Sequence, residues 1–589
     1  MIIRIQSREG TKRIDVLPSE TCRTLWMKIA EEFGLNVNHS NWSVCRDRNS
    51  TVLFPCTKKP LSSAGLRHGD MVFIALPEQR AMDTSSSSTD AEAGSVQGVK
   101  EDEVDVLLSK ESGRIERERD AQLCRHGPQG KCVHCLPVDP FDEEYLKSRD
   151  PPIKYLSFHS YLRKQQSGVD KGKYAFLESV SSTGKMRTNK SGDTWQELPS
   201  TITLKRQEYR HVDNIMFEDP GLVDRFIDYW RHGGKQRLGF LYGRYEVHRD
   251  VPLGIKAVVA AIYEPPQDTT ASSIVLLEDE QAEIVNEVAS HLGLHRIGWI
   301  FTDLEALPGQ QGKVMFKRHG DTYFLTAEEC IMAADFQLQH PNACRHVASG
   351  IFGSKFVTVV ITGNSDEQIS FEGYQVTNQA MTLVQENYLV PTIDAPELGY
   401  IRESDEGQYV PDVIYKEKEA YKVARPLPVE YLIVDMPAAF PQDPRPMFQC
   451  GVGKPFPVEN RTDIGQLQNF DEFAQYLSHQ PKDHFVSTIT DFHLILYLST
   501  APSVDVIRPY VKELCEAICN HDDPVIYQWN ERDAWKTVEC LVEQFSMTGR
   551  GPPIITPPPQ LQAWSCHRCT YMNRGNETIC QICDSPRQG

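Results

Sequence analysis

Long apolar runs are missing from this 589-residue chain. The longest, such as YLIVDM and FHLILYL, stop well short of the roughly 20 residues that span a bilayer, so no membrane-spanning helix is expected. The opening MIIRIQSREG carries Arg4 and Arg8 and no apolar core of signal-peptide length, which predicts a cytosolic or nuclear protein. An excess of positive charge is missing too. The 62 Lys and Arg against 81 Asp and Glu leave a formal net charge of −19, which counts against a general nucleic-acid binder. No repeat of fixed period is found, and a composition 40% hydrophobic and 24% charged excludes wholesale disorder. At roughly 150 residues per domain the length suggests about four units.

The cysteines are uneven. Of 16, seven lie in two tight clusters and nine, among them Cys22, Cys330, Cys450 and Cys540, are scattered. In a reducing compartment scattered cysteines act as small apolar residues, and clusters at short spacing act as metal ligands. Cys566, Cys569, Cys580 and Cys583 form C-x2-C-x10-C-x2-C. Each C-x2-C turn aims two thiolates at one point, and four thiolates satisfy tetrahedral zinc. A segment this short has no adequate core, so metal would supply most of its folding free energy. The second cluster, CRHGPQGKCVHC, offers Cys124, His126, Cys132 and Cys135, with His134 as a spare. It reads as a closed Cys3His site, because no adjacent acid or base accompanies it as catalytic zinc requires. Two structural Zn2+ ions are expected.

The rest of the chain reads as α+β. Residues 1–77 show a hairpin, a helix with Leu25, Ile29 and Phe33 on one face and Ser19 or Thr21 as cap, and further strands, as in a ubiquitin-like β-grasp. Residues 78–103 are a polar, Ser-rich linker, and the Pro-rich 547–562 a stiffer one. Residues 104–212 hold the first zinc cluster. A mixed α/β body is expected over 213–424, with the helix DPGLVDRFIDYWRHGG opened by Pro220 and stopped by a Gly-Gly pair. A C-terminal domain follows over 425–546, with a helix from Thr490 through FHLILYL, and the terminal finger occupies 563–589. The acidic run EDEVD at 101–105 reads as a solvated face, and His232 and His493 as ordinary surface or core residues.

GWIFTDL, lying between an amphipathic helix and FLTAEEC, resembles the metal-binding strand of MPN-fold deubiquitinases. That resemblance implies two histidine ligands, an upstream glutamate base and a later acid. Here Phe301 and Asp303 stand at the histidine positions, followed by Leu304, and Gln236 stands at the glutamate. Phenylalanine cannot ligate zinc and an amide cannot take a proton from water, so a pseudoenzyme is expected and a metallo-deubiquitinase is disfavoured. Thr326-x-x-Glu329, near the place of the final acid, reads more plainly as a helix capping box.

Trp564, Thr570-Tyr571 and Asn573 around the terminal cysteines resemble the Npl-type zinc finger. That likeness implies ubiquitin binding through Thr570, Tyr571 and Ile582. Single-stranded RNA is the rival ligand, with Arg568 and Arg574 as its hydrogen-bond donors. The near-neutral finger and its Thr-Tyr pair favour ubiquitin.

The order of these parts, with QLCRHGPQGKCVHCLPVDPFDEEYL, YRHVDNIMFE, PLGIKAVVAAIYEPPQ, FGSKFVTVVITG and RPLPVEYLIVD, resembles the nuclear protein localization protein 4 homologues over nearly the whole length. The resemblance implies a non-enzymatic cofactor of the AAA ATPase valosin-containing protein, paired with ubiquitin fusion degradation protein 1. It would receive polyubiquitin chains for unfolding, extraction from the endoplasmic reticulum or chromatin, and proteasomal degradation. One departure stands out. Where the family commonly carries a second central zinc finger, this chain has SSTGKMRTNKSGDTWQELPS, and from Cys135 to Arg210 it holds no cysteine and only His159.

Overall fold

A computed structural model describes residues 2–7, 10–16, 20–32, 43–45 and 70–75 near the N-terminus. It also describes 99–167 and 201–548, a few short gaps aside, and the pairs 564–565 and 572–573. The chain falls into two units, Met1–Glu92 and Ala93–Gly589.

In the first unit the strands Ile2–Ser7 and Gly10–Asp15 form the expected antiparallel hairpin. Met71–Ala75 pairs parallel to the first strand, and Ser43–Cys45 lies beyond it. Ile3, Ile5, Ile14, Val44 and Val72 are buried with Cys22, Leu25 and Ile29 of the helix Cys22–Glu32. Thr21 is the helix cap. Its hydroxyl accepts from the Thr24 N–H at 3.2 Å.

The second unit is organised by an eight-stranded sheet. Its order is Ile433–Met436, Ile369–Val376, Val357–Gly363, His295–Thr302, Leu238–His248, Gly254–Tyr263, Asn214–Phe217 and Ala438–Ala439. The first and last members are two halves of one extended segment broken at Pro437. The sheet therefore curls until both of its ends share that segment, and the Ile215 N–H reaches the Pro437 carbonyl at 2.9 Å. Proline suits this junction because it has no N–H to leave unpaired. The sheet thus extends past residue 424, drawing on a segment that the sequence reading assigned to the C-terminal domain.

Alternation along the strands separates two cores. Leu241, Ile255, Ala257, Val359 and Ile361 face one way, onto Val223, Phe226 and Ile227 of the helix Pro220–Gly233. That helix is built as expected. Asp219 caps it, Pro220 opens it, and Gly234 at φ 62° ends it in the left-handed conformation that glycine tolerates best. Leu238, Phe240, Tyr242, Trp299 and Val360 face the other way, onto the helices Ala282–His291 and Ala327–Gln339 and the C-terminal helices. Among the latter, Phe492–Thr500 is buried from Phe492 to Ser499, and starts two residues later than Thr490 because Asp491 caps it. Among the described residues no helix is long and apolar enough to cross a membrane.

Charged groups seal the seam between sheet and C-terminal helices. Glu264 accepts from Arg237 Nε at 2.6 Å and from Arg461 Nη2 at 2.5 Å, with all three side chains at most 2% exposed.

Candidate metal centre

The chain leaves the sheet body through a stem helix, Glu103–Lys110, and narrows to a neck where Ile115 and Val138 pair as an antiparallel bridge. Beyond the neck lie Cys124, His126, Cys132 and Cys135. Their ligand atoms all fall within 4.8 Å of one another. The Sγ of Cys132 is 3.6 Å from that of Cys124 and 3.8 Å from that of Cys135, and Cys135 Sγ is 3.2 Å from His126 Nε2. A tetrahedral zinc with Zn–S bonds of about 2.3 Å sets its sulfurs about 3.8 Å apart, so this donor set fits the ion. His126 Nδ1 donates to the Gly127 carbonyl at 2.9 Å, which leaves Nε2 free to ligate. Burial opposes ionisation of Cys132, but the backbone N–H groups of His134 and Cys135 and the neighbouring thiols outweigh it and lower the thiol to about 6. Arg117 holds the carbonyls of Val133 and Leu136, and Arg119 that of His126. His134 is exposed and stands outside the cluster.

The terminal ligands Cys566, Cys569, Cys580 and Cys583, and Thr570, Tyr571 and Ile582, lie outside the described residues. So does the stretch 168–200 that replaces a second central finger.

The acidic run 101–105 corrects the sequence reading in part: Asp102 and Glu103 do face solvent, but the side chains of Glu101 and Asp105 do not. Asp105 is 3% exposed, receives His159 Nε2 at 2.8 Å and pairs with Lys355, itself 4% exposed. Glu101 takes the Arg345 backbone N–H at 2.7 Å and its Nε at 2.6 Å. Buried charges need partners, and these partners bolt the stem helix to the body. Burial raises the Asp105 pKa, but the His159 hydrogen bond and the Lys355 charge more than offset it, so the value lies below the ordinary one. A carboxylate with a lowered folded pKa adds stability at neutral pH that is lost as pH falls through that value. Asp105→Asn is therefore expected to lower the urea midpoint at pH 7, and its deficit against the parent to shrink below about pH 4. Urea titrations of both proteins across pH 2–7 check this; a deficit constant with pH would contradict it.

The amide of Gln236 is fully engaged. Nε2 donates to the carbonyls of Ala271 and Leu304, both at 2.8 Å, and Oε1 accepts from the Thr302 hydroxyl and the Leu304 N–H. Phe301 is buried against Trp299, with ring centroids 4.8 Å apart. Asp303 does not stand free. Arg318 Nε reaches it at 2.8 Å, and the same guanidinium grips Glu329 at 2.6 Å and 2.7 Å. Thr326 and Glu329 form the expected capping box. Nothing in the local sequence marks Arg318 as the bridge between them. His493 is buried against Glu459 at 2.7 Å, and His232 is exposed.

Beside the neck, a groove of about 400 Å3 runs between Phe141–Leu156 and the segment around Tyr431. Leu146, Ile153, Leu156 and Ile433 give it an apolar floor, and the Lys154–Asp435 and Arg206–Glu430 pairs stand at its rim.

This is a multidomain α/β protein with a zinc-binding region in its second unit. Comparison with known proteins places it more closely. Residues 237–543 match the NPL4 family, 99–234 the zinc binding region of that family, and 1–75 the pattern described as nuclear pore localisation protein NPL4. The chain belongs to the NPL4 family. The rat nuclear protein localization protein 4 homolog is 46% identical over 614 positions, covering 100% of this chain and 99% of the relative. The Drosophila melanogaster homolog is 43% identical, covering 100% and 95%, and the Saccharomyces cerevisiae protein is 32% identical, covering 92% and 100%. Their names describe localization and no reaction.

Proposed function

We propose that this chain is a non-catalytic, ubiquitin-binding adaptor of the AAA unfoldase valosin-containing protein. Acting with ubiquitin fusion degradation protein 1, it delivers polyubiquitinated proteins for unfolding and proteasomal degradation, including proteins extracted from the endoplasmic reticulum or chromatin. Its similarity from end to end to one family carries this reading. The first unit, a helix against a four-stranded mixed sheet, suits a ubiquitin-like domain that docks on the ATPase. The terminal finger supplies Thr570, Tyr571 and Ile582 for ubiquitin, and the apolar groove beside the neck suits an extended segment of an unfolding chain. Several weak contacts on one tethered scaffold give avidity without a single tight site. It acts in nucleus and cytoplasm; the relatives' names agree with the nuclear part.

The non-catalytic part rests on the corner at Gln236. Its amide is spent on four hydrogen bonds, Phe301 offers no ligand atom, and Asp303 is tied to Arg318. Incubating the zinc-loaded chain with tetraubiquitin, without the ATPase, is expected to leave chain length unchanged on a denaturing gel over hours. Shorter ubiquitin species that disappear when the metal is chelated would sink the reading.

A further inference from the structure

We infer that the cleft between the helix Pro220–Gly233 and the start of the helix Phe492–Thr500 is a binding site for an aliphatic polyamine. The cleft holds about 330 Å3, at the small end of the range for ligand pockets, and its walls all belong to the second unit. Leu222, Ala261, Phe448 and Phe492 give it apolar sides. Four carboxylates, those of Asp219, Asp224, Asp228 and Asp491, line it together with Arg225 and His493.

His493 calls for a ligand. It is 6% exposed, and its Nδ1 meets Glu459 Oε2 at 2.7 Å. The other oxygen of that carboxylate takes the Glu264 N–H at 2.9 Å, so Glu459 is an acceptor throughout and Nδ1 is the donor. A neutral ring that donates from Nδ1 keeps a lone pair on Nε2. Nε2 has no hydrogen-bond partner among the described residues, and it is not sealed from solvent. Because the ring lines the cleft, this acceptor is open to a donor from outside.

Charge decides what the donor is. Asp491 pairs with Arg225 at 3.2 Å, and Asp224 and Asp228 share Arg231 at 2.9 Å and 2.8 Å. Four carboxylates against two guanidinium groups leave negative charge in excess by two. A divalent metal ion would need several ligand atoms gathered at one point, and among the described residues only the Cys124–Cys135 cluster gathers them. The matching positive charges are therefore spread along a chain, with apolar spacers to lie on the walls. An aliphatic polyamine is built that way, whereas a lysine side chain brings one charge. One ammonium donates to His493 Nε2 at the buried end, the methylenes cover Leu222, Phe448 and Phe492, and the outer ammonium meets Asp224 and Asp228. Bound there, the polyamine ties the helix Pro220–Gly233 to the C-terminal helices.

Calorimetric titration of the zinc-loaded full-length protein with spermidine tests this, at about pH 8, where an ordinary imidazole is neutral. One site with a Kd on the order of 100 µM is expected. n-Butylamine, which carries the single ammonium of a lysine side chain, should bind at least about tenfold more weakly, and Mg2+ should not displace spermidine. Asp224 is exposed, so Asp224→Lys should fold like the parent and, with its own ammonium at the mouth, weaken spermidine at least about tenfold. His493→Phe/Glu459→Gln removes the acceptor, keeps an oxygen for the Glu264 N–H and should weaken spermidine by a similar factor; should that pair fail to fold, Asp224→Lys decides alone. No saturable heat up to about 10 mM spermidine would overturn the inference. So would n-butylamine binding as tightly, displacement by equal Mg2+, or an Asp224→Lys protein that binds like the parent.

Discussion

Glu264→Gln is expected to cost about 3–5 kcal/mol of the second unit's stability, read as a lower denaturant midpoint at unchanged slope. Glu264 is 1% exposed, and its carboxylate is the shared acceptor for two guanidinium groups that are each 1% exposed. The glutamine keeps the shape and one acceptor oxygen but removes the one carboxylate that bonds both guanidinium groups. Arg237 and Arg461 cannot shed their protons, so two buried cations would lose the carboxylate they share, and Glu459, which also acts on Arg461, is bound to His493. Their remaining hydrogen-bond partners, the carbonyls of Asn460 and Arg225 and the Gln466 amide oxygen, accept hydrogen bonds but do not neutralise charge. Because Glu264 ends a sheet strand and Arg461 precedes the C-terminal helices, the variant should weaken both together in one transition. Two separate transitions, with the sheet unaffected, would mean that the seam is not a structural joint. Replacing all three residues with apolar ones should cost less than the sum of the single changes, since no charge is then stranded.

What could be foreseen was local. The helix beginning at Pro220 announced both of its ends, and Thr326 and Glu329 announced a capping box, because caps are made within four residues of sequence. The zinc centre was legible for the same reason: its ligands lie within twelve residues, and spacing alone brings them together. What stayed hidden was pairing across distance. Residues 433–439 close the sheet by bonding 369–376 on one side and 214–217 on the other, and no periodicity in that segment says so. Within EDEVD, Glu101 and Asp105 look solvated because the residues that pair with them, His159, Arg345 and Lys355, lie far along the chain. Nothing in the sequence singles out Arg318 because surface arginines are common, and only the fold sets this one between Asp303 and Glu329.

The second large effect concerns the terminal finger. Tyr571 is its aromatic anchor in the proposed grip, with Thr570 beside it and Ile582 between the last two cysteines. An aromatic at the centre of a small interface carries a large share of the binding energy, and truncating it typically costs at least about 2 kcal/mol, or some thirtyfold in affinity. In so small a patch the remaining contacts cannot compensate. Tetraubiquitin should suffer as well, since losing one contact point also removes the avidity it shared with the body. Tyr571 is not a metal ligand, so the variant should keep its zinc, which native mass spectrometry can verify.

The central claim is that the chain binds ubiquitin, and calorimetric titration of the zinc-loaded full-length protein tests it most directly. The parent should bind monoubiquitin in the micromolar range and tetraubiquitin more tightly, with Tyr571→Ala about thirtyfold or more weaker for monoubiquitin and weaker for tetraubiquitin too. No heat of binding from the parent with either ligand, at concentrations well above micromolar, would contradict the account.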